Sequence, residues 1–424
     1  MIKFIFKGLL RDKSRSLLPI LVIMIGVFLT VGMTGYIRGF IEDFVDQNAR
    51  LQTGHVNVVT KAYAQNESLM PIDLALLGID TLMKKLETDF PGYTWSPRIN
   101  FGGMLDVPDE SGESKKQGPV VGMAVDLLSG NTDEINRLNL HTALAEGHIP
   151  EASGEVIIGE ELARKLDLHP GDKVTFIGST MEGSLTFRNF TVSGTIRYGV
   201  RQMDNVIMLL DLKDARSLLD MENGATQILG YSKQGVYFDE EAARTRDTFN
   251  KKYAGSGDQF TPVMRSLRDE PTLGYYMTYI NSFSGLMIFI LIVIMSIVLW
   301  NAGLLGGLRR YNEFGIRLAM GEEKKHVYKM LLCEALFTGI IGSVFGTLLG
   351  VVFTLFLQYK GIDISGMMQG GAMIMPNIIR AKFSPDLLSI GFIPGVAAMV
   401  IGTMLSGIAI FKRETAKLLK ELEI

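Results

Sequence analysis

The residues whose types and spacing favour a chemical role lie in one basic segment of the last third of the chain. Arg309, Glu313 and Arg317 recur at four-residue intervals, so they can form paired charges along one face of a helix. Gly321 is placed to end that helix, and the two glutamates that follow stand at the positive end of a second helix. A loop that only stops transfer of the chain across the membrane needs nothing more than positive charge. A docking element needs a defined shape, and a helix, a break and a second helix provide one. The segment therefore predicts recognition of a partner protein.

Spacings typical of catalytic and metal sites do not occur in the sequence. The five histidines form no His-x-x-x-His pair, and neither Gly-x-Ser-x-Gly nor Cys-x-x-Cys is found. No Gly-x-x-x-x-Gly-Lys-Ser/Thr phosphate loop occurs, so any ATP that the protein uses must bind to another chain. We expect no catalytic residue, no metal site and no directly bound cofactor. A membrane-anchored enzyme stays an alternative, because a site assembled from distant residues leaves no local motif. The histidines are His55, His141, His148, His169 and His326.

Four long uncharged runs must position this segment. Each is near or above the ~20 apolar residues that cross ~30 Å of hydrocarbon as a helix. The runs are residues 17–37, 283–305, 335–359 and 387–411. A long and mostly polar stretch separates the first run from the second. The sequence thus predicts a membrane protein with four transmembrane α-helices and a large extracytoplasmic domain inserted between helices 1 and 2.

Basic residues flank these runs unevenly, and short loops rich in Lys and Arg stay in the cytoplasm. Such residues precede the first run, separate the second from the third and follow the fourth, whereas the loop 360–386 carries only three. The flanking residues are Lys3, Lys7, Arg11, Lys13, Arg15, Arg309, Arg310, Arg317, Lys324, Lys325, Lys329, Lys412, Arg413, Lys417 and Lys420. We therefore expect both termini in the cytoplasm and the large domain outside.

The first residues of the chain admit more than one interpretation. Lys3, Lys7, Arg11 and Arg15 recur every fourth residue, which predicts a cytoplasmic amphipathic helix over 1–16 on the inner headgroups. Simple positive flanking charge explains these residues nearly as well. A cleaved secretory signal is disfavoured, because the apolar run is long and no convincing small-x-small cleavage site follows it. The first run is therefore expected to be a retained anchor.

The polar stretch between the first two runs is predicted to be a mixed α+β domain, because its hydrophobic period alternates between those of strands and helices. Strands are predicted at 55–59, 119–125, 155–159, 173–177 and 190–196, and helices at 79–90, 160–166, 214–219 and 240–253. The net charge of -3 argues against nucleic acid as a partner. The only cysteine, Cys333, lies near the third run, so the domain must fold without disulfides.

Two stretches of the sequence resemble known proteins. Residues 310–322 read Arg-Tyr-Asn-Glu-Phe-Gly-Ile-Arg-Leu-Ala-Met-Gly-Glu and resemble the signature of FtsX-like ABC transporter permeases. Residues 154–166 read Gly-Glu-Val-Ile-Ile-Gly-Glu-Glu-Leu-Ala-Arg-Lys-Leu, and Pro-Gly-Asp-Lys-Val follows at 170–174. These resemble the external domain shared by MacB and the lipoprotein-releasing permeases LolC and LolE. The resemblance covers essentially the whole chain, including the order of one span followed by three.

The resemblance implies a transmembrane subunit in the bacterial inner membrane that dimerises, with a second copy or a similar permease, and works with a separate ATPase. Closure of that ATPase would move the external domains, and the substrate would be extracted or pushed on the outer side of the membrane. The chain would carry no nucleotide-binding domain of its own and would not be an enzyme. Matched residue by residue, the ATPase-coupling residues are Glu313, Gly315, Arg317, Ala319 and Gly321.

The resemblance also implies domain boundaries. They are 1–16 for the cytoplasmic helix, 17–40 for transmembrane helix 1, 41–281 for a MacB-like periplasmic domain and 282–424 for an FtsX-like permease domain. The last of these holds transmembrane helices 2–4 and a cytoplasmic coupling helix at 309–321. The tail from Phe411 reads Phe-Lys-Arg-Glu-Thr-Ala-Lys-Leu and departs from the Ala-rich, Pro-containing ending of relatives.

The choice of subfamily depends on two short stretches. Gly54-His55-Val56, and residues 190–196 leading to Asp204, are most similar to LolC and LolE. We therefore expect release of lipoproteins from the inner membrane toward the outer membrane, with a periplasmic carrier as a candidate partner. A MacB-like exporter permease for another amphipathic substrate is a close alternative. An FtsX-like signal transducer that regulates cell-wall hydrolases is another.

Small and adaptable side chains mark the membrane spans. Glycines four residues apart in the third span form a ridge that favours helix packing, namely Gly342, Gly346 and Gly350. An adaptable apolar cleft for acyl chains is predicted from Met24, Phe28, Met287, Phe289 and Met295. Ordinary lipid-facing or interhelical contact explains any one of these five equally well. The outer-loop methionines are similarly ambiguous, and they are Met367, Met368, Met373 and Met375.

Overall fold

The computed structural model describes residues 13–109, 113–130, 133–235, 237–253, 258–269, 271–308, 311–363 and 378–412. The described chain divides into two compact units. One, the helical unit, contains the described parts of Met1–Glu42, Tyr279–Asp363 and Ile378–Ile424. The other, the large domain, contains Asp43–Thr278 and mixes strands with helices. The first twelve residues of the predicted amphipathic helix, the tail after 412 and the outer-loop methionines lie outside the described residues.

The α-helices occur in both units. In chain order they are α1 (Lys13–Asn48), α2 (Lys61–Asn66), α3 (Ile79–Asp89), α4 (Glu134–Arg137), α5 (Leu140–Ala143), α6 (Glu160–Leu166), α7 (Arg201–Asp204), α8 (Leu212–Leu218), α9 (Asp239–Lys252), α10 (Pro271–Leu308), α11 (Tyr311–Ala319), α12 (Lys324–Lys360) and α13 (Leu387–Lys412). A π-helix, Ala49–Thr53, follows α1.

Three of the predicted spans lie in helices that are long and apolar enough to cross a membrane. These stretches are Leu17–Thr53, Lys324–Lys360 and Leu387–Leu405, which confirms membrane-type helices at the first, third and fourth runs. The second run lies in α10, where the described apolar stretch Ser282–Val298 is shorter. A fourth transmembrane helix therefore stays a prediction. The third helix begins eleven residues before the predicted run, because the basic segment from Lys324 is continuous with it.

The strands are mostly in the large domain. They are β1 (Val56–Thr60), β2 (Leu76–Leu77), β3 (Tyr93–Pro108), β4 (Ser114–Val125), β5 (Leu144–Gly147), β6 (Glu155–Gly159), β7 (Lys173–Ser179), β8 (Leu185–Ile196), β9 (Ile207–Asp211), β10 (Gly224–Ala225), β11 (Gln227–Ser232), β12 (Pro262–Ser266), β13 (Ile362–Asp363) and β14 (Ile378–Ile379). The predicted helix 160–166 and strand 155–159 are confirmed with these bounds as α6 and β6.

Six strands of the large domain close into a ring. The order is β3, β4, β9, β6, β8 and β7, and β7 pairs again with β3. The pairs β4 with β9 and β6 with β8 are parallel, and the others are antiparallel. β3 also continues a side sheet through β11 and β1 to β12. In that sheet the first and last strands of the domain are neighbours, with Val56 opposite Ser266.

Aromatic rings fill the space enclosed by the ring of strands. Phe101 and Phe176 are fully buried, and their ring centroids lie 5.3 Å apart in an edge-to-face arrangement. Gly103 and Gly122 make room for them, because a Cβ at either position would overlap one of these rings. Glycine lowers the intrinsic propensity of a segment to form a strand, and Gly103 lies within β3. Packing rather than local propensity therefore explains why β3 forms.

Candidate functional site

The predicted docking segment forms two helices separated by a short break. α11 covers Tyr311–Ala319, and α12 begins at Lys324. The structure describes neither Arg309 nor the side chain of Glu313, so the predicted charge pairs at four-residue spacing stay a prediction. The docking segment therefore comprises residues 311–329, from the start of α11 to the first turns of α12.

Gly321 ends α11 in a conformation that few other residues adopt. Its φ is 91°, in the left-handed region that favours glycine. The Gly321 N–H donates to the Leu318 carbonyl at 3.1 Å, and the Glu322 N–H donates to the Arg317 carbonyl at 3.1 Å. These two bonds form a Schellman motif, which satisfies carbonyls that the helix end leaves without donors. The prediction that Gly321 ends this helix is confirmed.

The docking segment exposes an apolar surface beside its break. Ile316 is 51% exposed and Met320 is 75% exposed, and the two are one helical turn apart. Ala319 is also exposed, and Lys325 and Lys329 are exposed on the next helix. Glu323, in the break itself, is exposed as well. An apolar projection bordered by charges of both signs suits insertion into an apolar groove with a polar rim on another protein.

Two of the predicted coupling residues face inward. Arg317 is half-buried, and its Nη1 donates to the Met330 sulfur at 3.0 Å. Gly315 is buried. Arg317 thus holds α11 against α12, which the sequence pattern had assigned to surface charge alone. On the following turn, the Glu322 Oε1 atom lies 3.6 Å from the His326 Nε2 atom.

The predicted glycine ridge of the third span lies against the first span. The glycines are Gly342, Gly346 and Gly350. Added Cβ atoms there would lie 2.7, 2.6 and 2.7 Å from atoms of Ile23, Met24 and Val31, respectively. Gly395 of the fourth span repeats the close approach, with an added Cβ 2.7 Å from Val27. Helix backbones can come this close only where small residues replace side chains.

The described contacts do not assemble the five residues of the predicted cleft. Phe28 lies against Phe353 of the third span, with ring centroids 5.3 Å apart, and the Met24 carbonyl faces the third-span ridge. Met287 and Phe289 on α10 are 42% and 63% exposed. The side chain of Met295 is not described. Among the described members, Met287 and Phe289 are exposed, and Met24 and Phe28 are half-buried.

Gly26, Val27 and Thr30 of the first span lie at a small cavity. With Ile292 and Ser296 of α10 and Pro394 of α13, they line this cavity. The first helix thus contributes two small side chains and one hydroxyl group to this cavity. The cleft predicted from Met24, Phe28, Met287, Phe289 and Met295 therefore stays a prediction.

The segment before the fourth span is fixed to the C-terminal half of the helix that contains the first. Arg38 lies 2.5 Å from the Asp386 carboxylate, and Lys382 forms an ion pair with Glu42. The Lys382 N–H donates to the Gly35 carbonyl at 2.9 Å. Two ion pairs and one backbone hydrogen bond thus join the segment before α13 to α1. No local sequence pattern indicated this connection, because the two segments are far apart in the chain.

A buried ion pair in the large domain was also missed by sequence reasoning. Arg98 and Glu134 are both fully buried, and their Nη2 and Oε2 atoms are 3.0 Å apart. Burial alone would raise the pKa of Glu134, but Arg98 and Arg137 hold it below its usual value. Burial raises the pKa of Tyr231, which contacts Arg98, to about 12. At neutral pH the Glu134 carboxylate is thus charged, and the Tyr231 phenol is neutral.

His55 is a structural histidine. It is buried, and its Nδ1 accepts a hydrogen bond from the Ser232 N–H at 3.0 Å. Burial, with Arg50 and Arg137 nearby, lowers the pKa of His55 to about 4. The ring is therefore neutral, as its role of acceptor requires. Among the described residues, no group of three or more His, Cys, Asp or Glu side chains could hold a metal ion.

Comparison with known proteins gives two family matches. A model described as MacB-like periplasmic core domain matches residues 16–247, and one described as FtsX-like permease C-terminal matches residues 285–415. The periplasmic region of MacB from Actinobacillus actinomycetemcomitans aligns with 51% of this chain and 93% of its own, at 11% identity and a TM-score of 0.34. No curated protein matches the chain.

Proposed function

Because the chain belongs to the family of the MacB-like periplasmic core domain and ends in an FtsX-like permease region, we propose that it is the membrane subunit of an ABC transporter that releases lipoproteins. Family members of this type work with a separate ATPase and often dimerise. In this proposal ATP binds to the partner, and the chain itself binds no cofactor and catalyses no reaction. Its task is to move the large domain so that a lipoprotein leaves the outer side of the inner membrane.

The observation that carries the proposal is the geometry of the docking segment. A helix stopped by a left-handed glycine exposes Ile316 and Met320 beside two exposed lysines. Such a projection costs free energy in water unless a partner covers it. We assign the ATPase contact to this surface, with Glu313, Gly315, Arg317, Ala319 and Gly321 shaping or flanking it.

The proposed topology follows the charge asymmetry of the sequence. Both termini and the docking segment lie in the cytoplasm, and the large domain lies in the periplasm. The domains are 1–16, 17–40, 41–281 and 282–424, as the sequence resemblance implies. The partners are one ATPase, a second permease subunit, the lipoprotein and a periplasmic carrier.

The lipoprotein substrate is supported by the sequence likeness to LolC and LolE and by exposed apolar side chains on α10. Met287 and Phe289 are suited to contact acyl chains, because methionine and phenylalanine offer large apolar surfaces. Gly54 and His55, in contrast, serve the fold here, since Gly54 has a φ of 63° and His55 is buried.

The ATPase contact can be tested by copurification from membranes. Reversing two charges, by Glu313→Arg with Arg317→Glu, and replacing the apolar projection, by Ile316→Ser with Met320→Ser, should each leave membrane insertion normal. Both should reduce the ATPase recovered with the permease, the second more strongly, because apolar contact is lost. Leu69→Ser, at an exposed apolar position of the large domain, is the control. Unchanged recovery in both variants would contradict the proposal.

Photocrosslinking tests the substrate. A photoreactive amino acid replaces Met287 or Phe289 in cells labelled with tritiated palmitate, and Leu69 is again the control position. Capture of palmitate-labelled proteins at α10 alone supports lipoprotein release. Capture of an unlabelled amphipathic compound instead favours the exporter alternative, and recovery of a cell-wall hydrolase with the large domain favours the signalling alternative.

A further inference from the structure

The helix that contains the first span ends in an unusual turn within the large domain. α1 is followed without a break by the π-helix Ala49–Thr53, and Gly54 ends it with its N–H donating to the Ala49 carbonyl at 2.7 Å. Single π-helical turns are rare and occur frequently at functional sites. The last carbonyl groups of a helix lack donors within the helix, so those of Arg50 and Leu51 must find donors elsewhere.

Arg98 supplies these donors from the centre of the large domain. Its Nη1 donates to the Leu51 carbonyl at 2.8 Å, and its Nη2 donates to the Arg50 carbonyl at 3.2 Å. The Tyr231 hydroxyl also donates to the Arg50 carbonyl at 3.2 Å. A cation is favourable at the negative end of a helix. Since Arg98 lies on β3, one side chain joins the helix end to the strand shared by the ring and the side sheet.

The charge of Arg98 is balanced where water does not reach. Glu134 contacts Arg98 through one oxygen, and its other oxygen accepts from Arg137 at 2.8 Å. Arg137 in turn stacks over the Tyr231 ring, with its guanidinium carbon 4.5 Å from the ring centroid. A buried ion pair is often no more stabilising than packed apolar side chains. A rigid guanidinium fork does, however, fix the position and direction of the groups that it binds.

One donor of Arg98 is unused. Its Nε–H is buried and has no acceptor among the described residues. Buried polar groups are nearly always paired in native proteins, so an exception calls for an explanation other than stability. Arg98 therefore binds two helix carbonyl groups while its Nε–H has no acceptor among the described residues. This suits a side chain that fixes the position of the helix end rather than one that makes the largest number of hydrogen bonds.

We propose that Arg98 is the positioning residue through which movement of the first-span helix is imposed on the strands of the large domain. The inference rests on the proposed function, because it assumes that ATP hydrolysis by a partner moves this helix. When the helix end shifts, the carbonyl groups of Arg50 and Leu51 carry the guanidinium with them, and β3 follows. Without the fork, the helix end can move while β3 stays in place.

Arg98→Lys tests this role in the full-length chain purified with its ATPase in lipid nanodiscs. Lysine keeps the charge beside Glu134 but lacks the fork that binds two carbonyls. Arg188→Lys is the matched control, since Arg188 also binds a carboxylate and a backbone carbonyl, both of Asp214, at 3.1 and 3.3 Å. Hydrogen–deuterium exchange with and without ATP is followed separately in peptides from the end of α1 and from β3.

In the wild type and in Arg188→Lys, we expect ATP to change exchange at both places. In Arg98→Lys the change should persist at the end of α1 and shrink by about threefold or more at β3. An undiminished response of β3 would overturn the proposal. Absence of any ATP response in wild-type α1 would instead contradict the proposed function on which it rests.

Tyr231→Phe provides a second variant should Arg98→Lys fail to fold. It removes one donor to the Arg50 carbonyl and keeps the ion pair intact. We expect a partial loss of the ATP response at β3, with exchange at the end of α1 unaffected. A full response at β3 in this variant would likewise count against the proposal.

Discussion

Replacing Gly346 by alanine tests the packing of the third span against the first. In a helix interior this change gains about 1 kcal/mol of helix propensity. The added Cβ would lie 2.6 Å from the Met24 carbonyl oxygen and 2.8 Å from the Val27 Cβ. These separations are roughly 1 Å shorter than an optimal carbon contact, so the two helices must move apart. Forced overpacking of this kind costs about 1–3 kcal/mol, which outweighs or cancels the gain.

Gly285 on α10 offers the matched control. It also lies in a helix, but a Cβ added there meets nothing within 4 Å. Gly285→Ala therefore gains propensity without a clash, and the difference between the two variants isolates the packing cost. The midpoint of heat unfolding is measured on the full-length protein in detergent, by fluorescence-detected size-exclusion chromatography. We expect Gly346→Ala to melt below Gly285→Ala, and Gly346→Val lower still. Equal midpoints for the two alanine variants would refute the reasoning.

Three further predictions concern pH, the docking break and topology. His55 has a folded pKa of about 4, below the unfolded value of 6.5, so its contribution is present above pH 6.5 and is lost as pH falls toward 4. The loss is roughly 3 kcal/mol, and His55→Asn should remove that part of the pH dependence in urea unfolding curves. Gly321→Val should cost about 1–2 kcal/mol through its left-handed backbone alone, since a Cβ there meets no neighbour, and transport should fall while membrane insertion stays normal. For topology, Cys333 is first replaced, and a single cysteine is then placed at Glu182 or at Met320. The cysteine at Glu182 should react with an impermeant maleimide added outside spheroplasts, and the one at Met320 should not. The reverse labelling pattern would contradict the proposed topology.

Local signals in the sequence were sufficient to predict short elements of the large domain and the break in the docking segment. The 155–166 stretch combines a β-branched run, a strand-ending glycine and an amphipathic turn, and the structure forms β6 and α6 there. Gly321 was predictable because glycine after a charged helix commonly adopts the left-handed conformation that the Schellman motif requires.

Long-range pairing explains what the sequence could not indicate. β3 contains two prolines and two glycines, which depress strand propensity, yet it is the longest described strand because it pairs on both sides and packs against buried aromatic rings. Its pairing with β7 closes the ring across more than 60 residues of chain, with Met104 opposite Ile177. The Arg98 and Glu134 pair is invisible for the same reason, since charged residues are expected at the surface.

The pairing of β1 with β12 has an evolutionary consequence. Because Val56 and Ser266 are opposite each other, the large domain begins and ends at neighbouring points of one sheet. A module with adjacent ends can be gained, lost or exchanged for one of another size without changing the spacing of the helices that it joins. The same set of membrane-type helices could therefore be fitted by recombination with different large domains, each bringing its own substrate or partner.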